Sequence, residues 1–209
     1  MPDSSLSGLA GCLRLGQVVI YPTETFYAVG GLAFDPKAAG AVFKLKNRPA
    51  GHPLPVIIGS MDQLTMLARP DPAHIKLARQ FWPGSLSILF QVNPDGDLPP
   101  ELTDSRGLVA IRLTPHPLAA RLCLAAGGPL SASSANISGR PPVTNPDLLD
   151  AELRSAAAGV LTGQPAPQGG LPSTLVEIDE GRIRILRPGR VSAQDLQKAG
   201  WLVTGGCCS

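Results

Sequence analysis

The sequence predicts an α/β fold, because short apolar runs typical of buried strands alternate with segments whose apolar residues recur at helical spacing. The first run, residues 18–21, is wholly apolar or aromatic, as in a strand covered on both faces. Pro22 cannot donate to a sheet ladder, so we expect the strand to end there and expose Thr23, Glu24 and Thr25. Open α/β sheets bind ligands at this edge, although an ordinary exit from a strand is the alternative.

The first half of the chain carries clear start and stop signals. Asp35-Pro36 matches an N-cap followed by proline at the first helical position, and Pro49 stops that helix. Residues 85–92 alternate polar and apolar side chains, which predicts a half-buried strand. The predicted elements are helices over 4–14, 36–46, a short stretch after Ser60 and 72–81, with strands over 18–21, 54–58, 85–92 and 108–113.

The second half is less regular but ends on strong signals. Two apolar stretches around Asp179-Glu180-Gly181 predict a hairpin, and Ser192 with Asp195 predicts a capping box at a last helix. We expect one domain over 1–209, with a core over about 8–190 and a C-terminal helix and frayed tail over 191–209. The predicted elements are helices over 117–126 and 148–153 and strands over 129–133, 160–161, 173–178 and 182–186.

Composition excludes several classes of protein. The net charge of +2 is too small to indicate a nucleic-acid binder by itself. Cys12, Cys123, Cys207 and Cys208 form no C-x-x-C pair, which disfavours a zinc site and a disulfide framework. No apolar run approaches ~20 residues and no secretion signal precedes the first helix, so we expect a cytoplasmic protein without a membrane segment.

Polar side chains follow at least five predicted strands. If the sheet brings those strand ends together, they form a cleft with many hydrogen-bond donors and few acceptors, which suits a polyanion such as a nucleoside triphosphate. Lys46 and Arg48 would join the cleft from a helix end. The strand-end residues are Thr23, Thr25, Arg112, Ser134, Asn136, Ser173, Thr174 and Arg187.

Each of these features has a simpler interpretation. Lys46 and Arg48 also suit a helix C-terminus, where cations favour the helix dipole without any ligand. Residues 133–140 also suit a surface turn rich in small polar residues. Arg112 interrupts an apolar strand, so its side chain either points outward or meets an anion.

The common nucleotide and hydrolase motifs are absent from the sequence. It contains no G-x-x-x-x-G-K-[ST], no G-x-G-x-x-G and no G-x-S-x-G. A serine hydrolase that uses Ser134 and Lys46 is conceivable, but nothing in the sequence locates an oxyanion hole.

Seven ordered motifs between about residues 8 and 190 closely resemble the YrdC/TsaC family of threonylcarbamoyl-AMP synthases. Seven motifs in one order form a specific signal, although each alone is weak. They are Tyr21-Pro22-Thr23-Glu24-Thr25-Phe26-Tyr27, Lys46-Asn47-Arg48-Pro49, Trp82-Pro83-Gly84, Val109-Ala110-Ile111-Arg112, Ser134-Ala135-Asn136, Pro172-Ser173-Thr174 and Leu186-Arg187-Pro188-Gly189.

The resemblance implies an open, twisted, mixed α/β sheet flanked by helices, with a large concave electropositive cleft. It implies that L-threonine, bicarbonate and ATP give L-threonylcarbamoyl-AMP and pyrophosphate, for threonylcarbamoylation of tRNA. Thr23, Arg112 and Ser173 match threonine-binding positions. By the same match, Lys46, Arg48, Ser134 and Asn136 are the catalytic and phosphate-handling set, and Arg140 and Arg187 are further ATP contacts.

The implied chemistry brings two anions together, since a carbamate oxygen must attack the α-phosphorus. Basic side chains and Mg²⁺ bound to the ATP phosphates, with no side-chain metal ligand assigned, would reduce their repulsion. The carbamate and the mixed anhydride of the product both react with water, so we expect a lid over the site. Residues 163–172 are the candidate. No side chain is an obvious general base, and positioning is the expected source of catalysis.

Two other functions remain open at this point. One is a non-catalytic module that binds tRNA or double-stranded RNA through the same basic residues, although aromatic residues are sparse. The other is a carbamoyl-transfer paralogue that shares the cleft motifs. For the synthase, the partners implied are threonine, bicarbonate, ATP and the downstream tRNA threonylcarbamoyl-transfer proteins.

Overall fold

The computed structural model describes residues 5–46 and 51–204. The tail expected to fray, Gly205 to Ser209, lies outside the described residues and includes Cys207 and Cys208. The strands within the described ranges are β1 (Val19–Pro22), β2 (Tyr27–Gly30), β3 (Val56–Ile58), β4 (Leu86–Gln91), β5 (Leu108–Leu113), β6 (Leu130–Ser131), β7 (Ser133–Ser134), β8 (Thr174–Asp179), β9 (Arg182–Arg187) and β10 (Leu202–Thr204).

These strands form one large and one small sheet. The large sheet is mixed, with seven strands in the order β10-β9-β8-β4-β5-β3-β6, and the small sheet is antiparallel, with the order β1-β2-β7. β6 pairs with β3 in the large sheet, and β7 pairs with β2 in the small one. The chain therefore crosses between the sheets at Ala132. The mixed α/β architecture expected from the sequence is confirmed.

The helices begin where the capping residues predict. Asp35 Oδ1 accepts hydrogen bonds from the backbone N–H groups of the first turn of α2, and Ser192 and Asp195 form the predicted capping box of α7. The helices are α1 (Leu6–Arg14), α2 (Pro36–Leu45), α3 (Leu64–Leu67), α4 (Pro72–Phe81), α5 (Pro117–Ala126), α6 (Ala151–Ala156) and α7 (Ala193–Lys198), with 3₁₀ turns at Met61–Gln63, Pro100–Leu102 and Pro146–Leu148.

Apolar side chains pack on both faces of the strands. Val56 and Ile58 of β3 belong to the larger core cluster, while Ile57 between them belongs to a second cluster with α1 and α5. This alternation follows from the two-residue period of a strand. Leu9 and Leu122 are fully buried in the second cluster, which covers that face with helices.

The prediction that β4 is half-buried is wrong. Five of its six residues are buried, and Gln91 is the exposed one. The polar member of the alternation, Ser87, is only 2% exposed because it faces an internal cavity rather than the surface. Except at Gln91, the two faces of β4 therefore meet the hydrophobic core and the internal cavity rather than the solvent.

Two strands have no counterpart in the sequence prediction. β2 was missed because the Gly30-Gly31 pair resembles an interruption. Gly30 is needed there, because a Cβ at this position would lie 1.6 Å from the Ser131 carbonyl oxygen. β10 pairs in parallel with β9, and Trp201 just before it packs in the larger core.

Two weak segments differ in detail from the prediction. The helix expected over 148–153 is α6, which starts at Ala151, and a 3₁₀ turn precedes it. Of the short strand expected at 160–161, only Val160 forms a bridge, to Ile20 of β1. Within the described residues, no helix is long and apolar enough to cross a membrane.

Candidate active site

A cavity of about 440 Å³ is lined by residues of both sheets. This volume is typical of sites for small molecules. The lining includes the turn between β1 and β2, parts of β3 to β5, the β6–β7 crossover and residues 170–173. Six of the predicted residues line it, namely Thr23, Thr25, Arg112, Ser134, Ser173 and Arg187. The convergence expected of residues far apart in the sequence is present for these six.

The turn between β1 and β2 is held by the hydroxyl of Thr23. Thr23 Oγ1 donates to the Phe26 carbonyl oxygen at 2.7 Å and accepts from the backbone N–H groups of Thr25 and Phe26 at 3.4 and 3.3 Å. It also lies 3.2 Å from Thr25 Oγ1. Pro22 ends β1, as predicted, and this local network then folds the chain back into β2.

Arg112 meets an anion within the protein. This is one of the two alternatives that the sequence left for a charge in an apolar strand. Its Nη1 forms an ion pair with Glu24 Oε1, and the two side chains are 8% and 11% exposed. Ser85 Oγ donates to the same carboxylate oxygen at 3.0 Å. Burial lowers the pKa of Arg112 to about 10, so the guanidinium is still charged at neutral pH. Glu24 thus holds one edge of a guanidinium that lines the cavity.

Arg187 and Ser173 form a second group of donors in the cavity. Arg187 Nη2 donates to the carbonyl oxygen and to the hydroxyl of Ser173 at 2.9 and 3.0 Å, and Ser173 Oγ lies 3.1 Å from Ser87 Oγ. Among the described residues that line the cavity, Arg112 and Arg187 are the charged ones. Their mutual repulsion also lowers the pKa of Arg112. Two guanidinium groups in one cavity favour an anionic ligand.

Lys46 lies beside the cavity at the end of α2 and is 4% exposed. Its Nζ donates to the Ser134 carbonyl oxygen at 2.7 Å and to Asn136 Oδ1 at 3.1 Å, and it also contacts the Asn136 carbonyl oxygen. The helix C-terminus interpretation is correct for the backbone, because Lys46 is the C-cap residue. The ammonium group, however, brings together Ser134 and Asn136, as the motifs imply.

The remaining predicted residues lie elsewhere. Arg48 lies outside the described residues. Arg140 does not line the cavity, and its guanidinium forms an ion pair with Asp150 on the surface, where its side chain is 64% exposed. Its backbone carbonyl nevertheless accepts a hydrogen bond from Asn136 Nδ2 at 2.6 Å. Thr174 is fully buried and donates to the Val191 carbonyl oxygen, which is a structural role.

The loop over residues 163–172 lies against the turn that carries Glu24. The backbone N–H groups of Gln168 and Gly169 donate to the carbonyl oxygens of Glu24 and Thr25 at 3.1 and 2.8 Å. Arg190 donates to the Gln168 side chain at 2.8 Å, to Gly169 O at 2.5 Å and to Leu171 O at 3.3 Å. Gly170 and Pro172 line the cavity, so Arg190 holds part of its wall.

His116 attaches the same loop to α5. Its Nδ1 accepts from the Leu118 N–H at 3.3 Å, so we assign the proton to Nε2, which lies 2.8 Å from the Pro165 carbonyl oxygen. Burial lowers the pKa of His116, although the bond to Pro165 acts in the opposite direction. The neutral ring therefore both caps the helix and holds the loop.

No group of three or more His, Cys, Asp or Glu side chains suited to a metal ion occurs in residues 5–46 and 51–204. The described lining of the cavity contains no Asp or Glu side chain. The cavity wall therefore supplies no carboxylate ligand for Mg²⁺, which prefers oxygen ligands.

Sequence reasoning missed several residues that shape the site. Glu24 was noted only as a residue after a strand, although the buried charge of Arg112 required an acidic partner nearby. Ser87 was assigned to a solvent-facing position. Arg190 and His116 had no signal for their contacts with the 163–172 loop, because these contacts join segments 19 to 49 residues apart.

The fold and the site define an α/β protein with a cavity that has two arginines in its wall and residues of the 163–172 loop on one side. The match to a family model is more specific. The Sua5/YciO/YrdC model, described as "Telomere recombination", matches residues 11–189, and the chain belongs to this family.

Similar proteins share a function in their names. A Bacillus subtilis protein named threonylcarbamoyl-AMP synthase is 35% identical over 196 residues, which cover 93% of this chain and 56% of the relative. A Mycobacterium tuberculosis protein named putative threonylcarbamoyl-AMP synthase is 38% identical over 186 residues, which cover 88% of this chain and 83% of the relative. The crystal structure of Pyrococcus abyssi Sua5 complexed with L-threonine superposes with a TM-score of 0.83 at 30% identity, covering 95% of this chain and 58% of that one. This chain therefore spans little more than half the length of the Bacillus and Pyrococcus proteins.

Proposed function

We propose that this chain is a threonylcarbamoyl-AMP synthase. L-Threonine, bicarbonate and ATP would give L-threonylcarbamoyl-AMP, pyrophosphate and water. The observation that carries the proposal is the convergence of Arg112, Ser173, Arg187 and Ser134 in the wall of one cavity, with Lys46 bonded to Ser134 beside that cavity. The names of the relatives and the threonine in the Pyrococcus protein support it.

Two groups of residues are proposed to bind the two anionic substrates, threonine and ATP. Thr23, Arg112 and Ser173 are proposed to bind threonine, whose carboxylate suits the edge of Arg112 that faces away from Glu24. Lys46, Arg48, Ser134, Asn136, Arg140 and Arg187 are proposed to bind ATP, with Lys46, Arg48, Ser134 and Asn136 nearest the reacting phosphate.

The reaction has two steps. The threonine amine attacks the bicarbonate carbon, a C–N bond forms, and water leaves to give a carbamate. A carbamate oxygen then attacks the α-phosphorus, and the bond to the β,γ-phosphates breaks with its electron pair leaving on pyrophosphate. Lys46 and Arg187 reduce the repulsion between the carbamate and the phosphates. The 163–172 loop excludes water from both labile species.

Mg²⁺ belongs to this proposal as a part of the ATP substrate. The described cavity residues offer it no carboxylate, so the phosphates themselves would be its main ligands. When bound, it would neutralise part of the phosphate charge.

The cellular setting follows from the same proposal. The product would pass to tRNA threonylcarbamoyl-transfer proteins in the cytoplasm, with or without direct contact between this chain and tRNA. We also propose that residues 1–209 behave as one domain.

Pyrophosphate release tests the proposal directly. The protein is incubated with ATP, Mg²⁺, bicarbonate and L-threonine, and pyrophosphate is compared with that of a reaction without threonine. Lys46→Ala should lose at least about tenfold in rate, since it removes a charge-assisted contact. Lys44→Ala is the matched control, because Lys44 is an exposed residue on the same helix.

Two outcomes would favour the other functions. Pyrophosphate formation that is indifferent to threonine would reject the synthase and favour a carbamoyl-transfer paralogue. No turnover, together with RNA binding that falls steeply with salt and is lost in Lys46→Ala, would favour an RNA-binding module.

A further inference from the structure

The loop over residues 134–140 follows β7, and the side chain of Asn136 is built into it. Asn136 Nδ2 donates to the carbonyl oxygens of Ile137 and Arg140 at 3.0 and 2.6 Å, and its Oδ1 accepts from Lys46 Nζ at 3.1 Å. The amide of Asn136 therefore links the shape of the 134–140 loop to the position of the Lys46 ammonium group. Whatever holds this loop also places Lys46.

Asp150 holds the 134–140 loop at two points. Its Oδ2 accepts from the Ile137 backbone N–H at 3.4 Å, and its Oδ1 forms the ion pair with Arg140. Leu149 and Leu153, on either side of Asp150 in the chain, are buried in the larger core. The carboxylate therefore projects from a backbone that the core fixes, and it is a firm anchor for the loop.

The side chain of Asp150 does not have the role that its position predicts. Asp150 is the N-cap residue of α6, where an Asp side chain ordinarily accepts from backbone N–H groups in the first helical turn. It makes no such bond to α6 and binds the 134–140 loop instead. A half-exposed ion pair contributes little to stability, so stability alone does not explain this choice of partner.

We infer that Asp150 is a positioning residue of the nucleotide site, which keeps the 134–140 loop in the shape that lets Lys46 and Ser134 meet the phosphates. The inference rests on the proposed function, in which these residues and Arg140 bind ATP. Asp150 does not line the cavity, so it acts through the loop. Arg140 can keep its ion pair while it contacts a phosphate, because a guanidinium has five N–H donors.

Binding of two ligands to the full chain tests the inference by isothermal titration calorimetry. The ligands are L-threonine and the Mg²⁺ complex of α,β-methylene-ATP, in which the reacting bond cannot break. Asparagine has one acceptor oxygen, so in Asp150→Asn the amide nitrogen must face a donor, either the Ile137 N–H or Arg140. We expect Asp150→Asn to weaken the nucleotide about tenfold and leave threonine unchanged. Asp150→Glu keeps two acceptor oxygens one methylene further out and should weaken the nucleotide only about threefold.

Asp147→Asn is the matched control, because Asp147 is an exposed residue three positions earlier and the change removes the same charge. Removing a negative charge near a polyanion site favours the polyanion by itself. The weakening expected for Asp150→Asn therefore has the opposite sign to the general effect of charge. Urea denaturation shows whether each variant is folded.

The other outcomes would overturn the inference and leave the proposed function standing. Tighter nucleotide binding in Asp150→Asn than in Asp147→Asn would show that the carboxylate competes with the nucleotide for Arg140. Equal weakening of both ligands, or of neither, would show that Asp150 has no specific effect on the nucleotide site. If Asp150→Asn does not fold, Asp150→Glu decides, and a wild-type nucleotide affinity in that variant would overturn the inference. A wild type that binds neither ligand would instead reject the proposed function and the inference with it.

Discussion

Replacing Glu24 by glutamine should strongly destabilise the protein. The ion pair with Arg112 is almost completely buried, with side chains that are 11% and 8% exposed. Removing one partner of such a pair typically costs about 3–5 kcal/mol, because the other charge stays buried without compensation. Glutamine keeps the size and the acceptor oxygen of Glu24, so we expect a cost near 3 kcal/mol.

Urea denaturation of a double-mutant cycle measures this effect. The variants are Glu24→Gln, Arg112→Met and the combination, and the double variant should lose less stability than the two single variants together. Asp95→Asn is the matched control. Its ion pair with Arg69 is 77% and 63% exposed, so the change should cost less than about 1 kcal/mol.

The reasoning fails if Glu24→Gln unfolds at the same urea concentration as the control variant. That result would mean that Arg112 finds another anion or water when its partner is removed. Additive single effects would mean that the two side chains do not interact energetically. Where Glu24→Gln remains folded, its KM for threonine should rise, because Arg112 loses the contact that orients it.

Three further changes test other parts of the site. Gly189→Ala should lower the free energy of unfolding, measured in urea, by about 3 kcal/mol, because the new Cβ would lie 2.3 Å from the Pro172 carbonyl oxygen. The control Gly11→Ala in α1 should be neutral or stabilising by up to about 1 kcal/mol. Equal effects of the two changes would contradict the close approach at Gly189. Burial lowers the pKa of His116 below its usual 6.5, so the unfolded chain takes up the proton first and stability falls as pH drops below about 6.5. His116→Asn keeps a helix cap and should lose that part of the acid sensitivity in denaturation at pH 7.5 and 5.5; an unchanged difference would contradict it. Arg190→Ala should speed amide hydrogen exchange in the 163–172 loop, with partial recovery in Arg190→Lys, and unchanged exchange would show that the loop is held by its backbone bonds alone.

The sequence was most informative where a signal is local. Asp35 and Ser192 marked the starts of α2 and α7, since a cap acts within three or four residues. Pro22 marked the end of β1 for the same reason. The single charge at Arg112 in the apolar run of β5 left two alternatives, an outward side chain or a contact with an anion, and the structure has the second.

The rest depended on contacts between distant segments. In the sequence, the glycine pair at Gly30 suggests an interruption of secondary structure. In the structure, Gly30 belongs to β2, where the Ser131 carbonyl oxygen leaves no room for a side chain. The alternation in β4 could not distinguish a cavity from solvent, because both accept a serine such as Ser87. Arg112, Ser134 and Arg187 line one cavity, as expected for residues at strand ends. The spacing of residues in the sequence could not, however, predict the pairing of Glu24 with Arg112.

The crossover at Ala132 limits how the walls of the cavity can move. Residues 130–134 are bonded on one side to β3 and on the other to β2, and Tyr21 donates to the Ser131 carbonyl at 2.7 Å. One continuous stretch of backbone thus joins the two sheets where residues 132–134 line the cavity. The two sheets cannot move apart at this point without breaking these hydrogen bonds.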